Sequence, residues 1–328
     1  MTTQTGKIAL MAWVLTSILW ASIAFADKAG PMPRGEVVFG AMGDVPYSDR
    51  DEMHVGWVLQ DMKQIGAGFA IHVGDLKGGI EPCSDTLLAR RLGLLAEGPL
   101  PVVFTPGDNE WTDCHRRAAG GYDPRERLAT LRRLAWPSLT TPAGSIRSGV
   151  AQRDVLRTER QQGWPENARW ASGGLHFITL HVVGSRNGLG QYPDSDAEMT
   201  ARMHANALWL DESVDQALRA RASGLVIAFH ADPDFGTRPG RGFEGFQRLL
   251  QRTAERFSKP ILLVHGDGHQ FRVDQPLPGP FGEDDRWEHV TRLEVFGWPR
   301  SRHWVLVSFD PDRRPAFRIM TREAAAPR

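Results

Sequence analysis

The sequence predicts an α/β fold, in which helices cover a sheet. Short apolar runs with strand character alternate along the chain with segments of helical spacing. Several apolar runs end in a loop tip that carries a carboxylate or an imidazole, which is where α/β folds place their chemistry. No Ser-rich, Gln-rich or charge-block linker divides the 328 residues, so the sequence predicts one large domain.

The first half of the chain gives a regular alternation of elements. The predicted strands cover 36–42, 68–73 and 101–105, and the predicted helices cover 54–65, 84–95 and 124–134. Residues 113–171 are rich in Arg, Pro and Trp, and we expect them to form a cap or long loop beside the site.

The second half continues this pattern towards the C-terminus. The predicted elements are a central strand over 175–183, a turn over 184–188, a helix over 196–219, strands over 224–229 and 271–274, and a closing hairpin of 304–309 and 316–320. Alternation along the whole chain favours a sheet with helices packed outside it.

The N-terminus has the features of a secretory signal peptide. Lys7 gives a basic start, residues 8–20 form an apolar stretch, and Ala24-Phe25-Ala26 is a small-x-small cleavage site. A retained membrane anchor is the alternative, which the shortness of the apolar stretch disfavours. We therefore expect residues 1–26 to be removed and residues 27–328 to be exported to the periplasm or the extracellular space.

Composition narrows the classes of partner. The chain carries 39 basic and 39 acidic side chains, and this neutrality argues against a nucleic-acid or anionic-membrane surface. No second long apolar run follows the first, so no membrane span is expected after cleavage. Oligomeric state is not predicted.

Cys83 and Cys114 are the only two cysteines, and each follows one of the loop tips by a few residues. In an oxidising compartment such a pair predicts a disulfide that ties the two loops together. Two unpaired buried thiols are the alternative, and a thiolate metal site is less favoured.

The loop tips carry the candidate chemistry. They are Gly43-Asp44-Val45-Pro46-Tyr47, Gly74-Asp75, Gly107-Asp108-Asn109-Glu110, Phe229-His230 and His265-Gly266-Asp267-Gly268-His269. If these tips converge, they form a dinuclear metal site, because hard oxygen ligands mixed with imidazole suit first-row metal ions.

In order and local sequence, these segments resemble the calcineurin-like metallophosphoesterase superfamily, whose pattern runs D-x-H, G-D, G-N-H-D/E, a lone H and G-H-x-H. Asp75, His230 and His269 match that pattern outright, and three motifs depart from it. The resemblance covers most of the chain after residue 26. It implies a four-layer α/β/β/α sandwich of two mixed sheets flanked by helices, forming a single domain.

The resemblance also implies an activity and a cofactor. The activity is hydrolysis of a small-molecule phosphate monoester or diester by attack of a metal-activated hydroxide, with one or two divalent ions as cofactor. The implied ligands are Asp44, Asp75 and His269 for the first metal and Asp75, Asp108, His230 and Asp267 for the second. Because carboxylates dominate this set, Mn, Mg, Fe or Ca is favoured over Zn.

The first motif lacks a ligand. Pro46 stands where the superfamily has a histidine, so the first metal loses an imidazole. Tyr47, the next residue, is a candidate for three roles: a phenolate ligand, a hydroxyl facing the substrate, or a packed ring.

The third motif allows two alignments. Aligned on Gly107, Asp108 is the metal ligand and Asn109 replaces the histidine that assists the leaving group, orienting it without acting as an acid. A slip of one residue would instead make Asn109 the ligand. His115 is a candidate substitute acid, with a surface histidine as the alternative.

Three further residues are candidates near the site. His265 is expected to support the ligands from behind or to replace the missing imidazole. Lys77 and Asn187 are candidate contacts for the substrate, with an exposed lysine and an ordinary turn as alternatives.

A second class of function is compatible with the altered motifs. Pro46 and Asn109 would also fit a catalytically impaired protein that kept the metallophosphoesterase fold and acts as a metal-dependent binding or interaction module. Packed strand-end carboxylates favour the hydrolase, because such groups are costly to bring together unless a cation compensates them.

Overall fold

The computed structural model describes residues 37–137, 156–235, 240–279 and 285–326. All of these residues belong to one compact unit, Gly35–Arg328. The predicted signal peptide and its cleavage site lie outside the described residues.

The described segments form strands and helices in close alternation. In chain order they are β1 (Val37–Met42), α1 (Asp49–Ile65), β2 (Phe69–His72), α2 (Asp85–Ala96), β3 (Val102–Phe104), α3 (Pro124–Ala135), β4 (Glu159–Gln161), β5 (Trp164–Ser172), β6 (Leu175–Thr179), α4 (Ser195–Arg219), β7 (Gly224–Ala228), α5 (Glu244–Arg256), β8 (Ile261–His265), β9 (Arg272–Asp274), β10 (Val290–Glu294), β11 (His303–Phe309) and β12 (Phe317–Glu323). Short helical turns cover Thr112–His115, Arg117–Ala119 and Gly184–Asn187.

The strands form two mixed sheets. The first has the order β12-β11-β1-β2-β3, in which β1, β2 and β3 are parallel and β11 and β12 are antiparallel additions. The second has the order β4-β5-β6-β7-β8-β10-β9, with β6, β7, β8 and β10 parallel. The predicted pair of mixed sheets is therefore confirmed.

The sheets pack face to face through an apolar core. Phe69 of the first sheet meets Phe177 of the second with ring centroids 5.2 Å apart, within a cluster drawn from both sheets. A second cluster packs Trp209 of α4 and Leu249 of α5 against the outer face of the larger sheet. A third packs α1, α2 and α3 against the smaller sheet, for example through Val58. These layers give the predicted α/β/β/α sandwich.

The loops at the site are fixed by caps and a disulfide. Ser48 caps α1 by accepting from the Asp51 N–H at 3.2 Å, which fixes the chain directly after Tyr47. The Cys83–Cys114 disulfide is formed, as the sequence predicted. None of the helices in the described part of the chain combines the length and apolar character needed to cross a membrane.

Some elements were not predicted. Within 113–171, which the sequence suggested to be a cap or long loop, Trp164–Ser172 is a strand of the larger sheet, while residues 138–155 lie outside the description. Helix Glu244–Arg256 and strand Val290–Glu294 were also missed. The predicted closing hairpin is confirmed as the antiparallel pair β11 and β12.

Candidate metal centre

The strand ends of both sheets converge at one place. Asp44 follows β1, Asp75 follows β2 and Asp108 follows β3, all from the smaller sheet, and the larger sheet contributes His230 after β7 and Asp267 after β8. Because these five strands include parallel neighbours in each sheet, their carboxyl ends lie at the same edge and bring the loops together. The convergence that the loop tips suggested is present.

His230 lies at the middle of the cluster. Its Nε2 is 3.1 Å from Asp108 Oδ1, 3.5 Å from Asp75 Oδ1 and 3.7 Å from Asp267 Oδ1. This imidazole belongs to two groups of possible metal ligands. His230 forms one group with Asp44 and Asp75 and the other with Asp108 and Asp267, and within each group the ligand atoms lie within 4.8 Å of one another. A pair of adjacent cation sites is the arrangement that these groups suit.

His269 and Tyr47 complete the side of the cluster around Asp44. His269 Nε2 is 3.4 Å from Asp44 Oδ1 and 3.2 Å from the Tyr47 hydroxyl. The same hydroxyl donates to Asp75 Oδ2 at 3.1 Å. The Tyr47 hydroxyl thus lies on the side of the cluster where the imidazole replaced by Pro46 is missing. Burial and the nearby carboxylates raise the pKa of its phenol well above the usual value, which favours the neutral hydroxyl.

Both imidazoles are turned with Nε2 towards the cluster. His230 Nδ1 lies 2.8 Å from the carbonyl oxygen of Val73, and His269 Nδ1 lies 2.9 Å from that of Trp298. A carbonyl can only accept, so each Nδ1 carries a proton, and in the neutral ring Nε2 is the nitrogen that can bind a cation. This is how histidine ligands are oriented in protein metal sites.

The carboxylates carry a charge that the side chains alone do not balance. Burial raises the pKa of Asp75 well above its usual value. Burial and the carboxylates of Asp108 and Asp44 raise the pKa of Asp267 to about 7, against the opposing effect of His230. Burial lowers the pKa of His230, but Asp75 and Asp108 outweigh it and raise that pKa well above the ordinary value. Bound cations would relieve this repulsion, so the donor set fits divalent metals.

The backbone around the cluster is strained and close-packed. Asp44, Asp75, Asp267 and His269 all have positive φ, between 55° and 72°. Non-glycine residues in this region are uncommon, and such strain concentrates at functional sites. At Gly184 an added Cβ would lie 2.7 Å from Asp267 Oδ1 and 2.8 Å from Asp108 Oδ1. The backbone at Gly184 therefore packs directly against these two carboxylates and leaves no room for a side chain.

Two buried residues join the loops behind the ligands. The Glu110 carboxylate accepts from the N–H groups of Asp75, at 3.3 Å, and Gly107, at 2.7 Å, as well as from that of Leu76. Arg91 donates to the carbonyl oxygens of Pro46, at 2.9 Å, and Leu76, at 3.0 Å. The loops after β1, β2 and β3 are thereby fixed relative to one another.

Asp108 and Asn109 are placed differently. Asp108 belongs to the cluster with His230 and Asp267. The Asn109 amide Nδ2 donates to Asp75 Oδ2 at 2.5 Å, and the Asn109 backbone N–H donates to Asp75 Oδ1 at 3.1 Å. Asn109 therefore holds the central carboxylate, and in this motif it is the Asp108 carboxylate that lies among the clustered ligand atoms.

His265 and His115 lie apart from the ligand atoms. His265 is buried with its ring stacked on Phe229, its Nδ1 bonds the Gly266 carbonyl, and burial lowers its pKa to about 4. It supports the last loop from behind, and nothing places it as the missing imidazole. His115 bonds the Thr112 carbonyl at 2.6 Å, and its described contacts do not join it to the cluster.

Lys77 and Asn187 are buried, which argues against the predicted contacts with a substrate. The Lys77 ammonium donates to the Gly78 carbonyl at 2.9 Å, and burial lowers its pKa. Asn187 accepts from the Arg202 guanidinium at 2.5 Å and so fixes its own turn.

Sequence reasoning missed two residues at the site. Ser185, in the turn that was predicted only as a turn, donates to Asp108 Oδ2 at 2.7 Å. Trp298 supplies the carbonyl that orients His269. Its Gly297-Trp298-Pro299 context suggests a loop and gives no sign of this role.

Comparison with solved structures finds similar folds at low identity. A dimetal phosphatase from Danio rerio is 10% identical, over 88% of this chain and 99% of that chain, with a TM-score of 0.46. A purple acid phosphatase from yellow lupin seeds is 10% identical, over 88% of this chain and 52% of that chain, with a TM-score of 0.49. An anchor protein of the inner membrane complex of Plasmodium is 9% identical, over 89% and 90% of the chains, with a TM-score of 0.47.

No family model and no curated protein matches the sequence.

Proposed function

We propose that the protein is an exported, metal-dependent phosphoester hydrolase. One observation carries the proposal: two groups of ligand atoms share His230 at the converging strand ends of two sheets. Four of the clustered side chains are carboxylates, whose negative charge a pair of cations would neutralise.

The chain offers a ligand set for each cation. Asp44, Asp75 and His269, with the Tyr47 hydroxyl beside them, would hold one ion. The second ion would be held by Asp75, Asp108, His230 and Asp267. When bound, such ions supply positive charge to phosphoryl oxygens and lower the pKa of water. Oxygen-rich ligands favour Mn, Mg, Fe or Ca over Zn.

The residues around the proposed ligands orient the Asp75 carboxylate and limit which group can donate a proton to the leaving group. Tyr47 and Asn109 both donate to Asp75 Oδ2 and hold that carboxylate in one orientation. Among the residues that the structure describes, no imidazole takes the place of Asn109, so a leaving group would depart without assistance from a histidine acid. Activated esters such as p-nitrophenyl phosphate are therefore the best first substrates.

Export is part of the proposal. It is supported by the formed Cys83–Cys114 disulfide, which is typical of oxidising compartments, and by the predicted signal peptide over 1–26.

The test is to measure p-nitrophenyl phosphate hydrolysis by the Mn²⁺-loaded protein and by its Asp75→Asn variant. We expect the substitution to lower kcat by about 10³-fold or more, because a charge shared by both ions is lost. Asp310→Asn, in the β11–β12 turn, is the matched control and is expected to keep full activity.

Equal activity in the Asp75→Asn variant would refute the site. Metal binding that requires Asp75, together with no hydrolysis of monoesters or diesters by the unmodified protein, would instead favour the metal-dependent binding module.

A further inference from the structure

A cavity of about 480 Å³ lies beside the metal centre. It is lined by Trp298 and by three arginines, Arg50, Arg300 and Arg302. Its volume lies within the range of small-molecule sites, which is about 300–1,000 Å³. The proposed hydrolysis assigns no role to this space.

Trp298 belongs to both the cavity and the metal centre. Its carbonyl accepts from His269 Nδ1 at 2.9 Å, and the residue is also one of those that line the cavity. The Trp298 ring lies nearly parallel to the Tyr47 ring, with centroids 6.4 Å apart, and the Tyr47 hydroxyl reaches Asp75. A molecule with its phosphoryl group at the metal centre would therefore have the cavity beside it.

The Trp298 side chain is unusually exposed for so large an apolar group. Its relative exposure is 49%, in a protein whose largest aromatic side chains are otherwise mostly buried, such as Trp111 and Trp304. An exposed indole beside a cavity is a platform on which a planar ring can stack.

The charges of the cavity favour an anion. Two carboxylates line it, but Glu323 is paired with Arg302, and Asp51 accepts from Ser48 Oγ at 2.8 Å and from a backbone N–H. In the part of the chain that the structure describes, neither Arg50 nor Arg300 forms an ion pair. Arg300 contacts the Phe296 ring, with its guanidinium carbon 5.6 Å from the ring centroid, and this contact forms no hydrogen bond. Both guanidiniums therefore keep N–H donors for a phosphate.

We propose that this cavity binds a nucleotide as the alcohol part of the substrate, with the base on Trp298 and a phosphate on Arg50 and Arg300. The substrate class, which rests on the proposed function, is then a phosphoester of a nucleotide, such as a nucleoside 3′,5′-bisphosphate. Water adds to phosphorus, the bond from phosphorus to the ribose oxygen breaks, and that oxygen takes a proton. The products are inorganic phosphate and a nucleoside monophosphate.

The test is the binding of AMP, measured by calorimetry on the full protein with Mn²⁺ and without added inorganic phosphate, which would compete with AMP for Arg50 and Arg300. Trp298→Ala and the double variant Arg50→Gln/Arg300→Gln are each expected to weaken AMP binding by about tenfold or more. The first variant removes the stacking surface for the base, and the second removes the two guanidiniums for the phosphate. Trp298→Phe keeps a ring and is expected to retain most of the affinity.

The matched control is Arg248→Gln, an exposed arginine on α5 outside the cavity, which is expected to bind AMP as the unmodified protein does. Adenosine and inorganic phosphate alone are expected to bind more weakly than AMP. No AMP binding, AMP binding no tighter than adenosine, or equal binding by the cavity variants and the control would overturn the proposal.

This readout separates the two proposals. AMP binding as expected, without hydrolysis of any phosphoester, would leave the nucleotide site standing and remove the hydrolase. Hydrolysis of p-nitrophenyl phosphate without cavity-dependent AMP binding would do the reverse.

Discussion

Single residues in this protein act through the groups that orient them. His230 and His269 come from different loops, yet a backbone carbonyl fixes the proton of each on Nδ1 and turns each Nε2 to the carboxylates. Asp75 is held in the same way by Asn109 and Tyr47. Preorganised ligands of this kind bind a metal without a further loss of side-chain freedom.

Tyr47→Phe tests this orientation at one atom. Loss of the hydroxyl removes a hydrogen bond to Asp75 and a contact with His269, so we expect Mn²⁺ affinity to fall about 10- to 100-fold at one of the two sites. Calorimetric titration of the metal-free protein measures it. Tyr122→Phe is the control, since its ring packs under Arg127; equal affinity in both variants would remove Tyr47 from the centre.

The place of a residue in the site could be predicted from the sequence where a strand end fixes that place. Asp44, Asp75 and His230 follow apolar runs directly, so strand ends placed them correctly. Lys77 is only two residues beyond Asp75, yet its side chain is buried. This burial could not be predicted, because no periodicity relates the direction of a side chain in a loop to its position in the sequence. Trp298 depends on packing between segments distant in sequence, which a single sequence does not reveal.

At the scale of elements, a few buried side chains join loops that the strands bring near one another. Arg91, on α2, bonds carbonyl oxygens in the loops after β1 and β2 and forms two bonds of 2.7 Å with Glu81. One helix thus holds two ligand loops. Removal of the guanidinium would leave two carbonyls and two carboxylates, those of Glu52 and Glu81, without this partner.

Arg91→Met is expected to lower the free energy of unfolding by about 3–5 kcal/mol, the usual loss when one partner of a buried ion pair is removed. Urea denaturation followed by circular dichroism measures it. Its neighbour Arg90 has an exposed side chain that pairs with Asp49 and with Glu52, and Glu52 keeps Arg91 as a partner, so Arg90→Met is expected to cost about 0–1 kcal/mol. A similar loss in both variants would show that Arg91 does not join these loops.

The elements themselves were predictable to different degrees. Helix Ser195–Arg219 and the β11–β12 hairpin have strong patterns and were found. Strand Trp164–Ser172 mixes Arg, Asn and Glu with its apolar residues, because parts of both faces hold polar contacts, and its sequence suggested a loop. This segment is a strand because of its tertiary packing, which its own sequence pattern does not reveal.

At the scale of the whole molecule, two sheets cooperate in one site. Asp44, Asp75 and Asp108 come from one sheet, and His230 and Asp267 come from the other. The packed core between the sheets therefore positions the ligands relative to one another. The layered fold could be expected from the ordered motifs, whereas the cavity beside the site follows from loop packing alone.

The most direct test of the metal centre is the metal content of the purified protein, measured by elemental mass spectrometry beside that of the Asp75→Asn variant. We predict about two transition-metal or alkaline-earth ions per chain, and fewer than one in the variant, because Asp75 belongs to one group of ligand atoms and its Oδ1 lies 3.5 Å from the His230 imidazole that both groups share. No bound ion in the unmodified protein, even after incubation with Mn²⁺ or Fe²⁺, would contradict the metal centre.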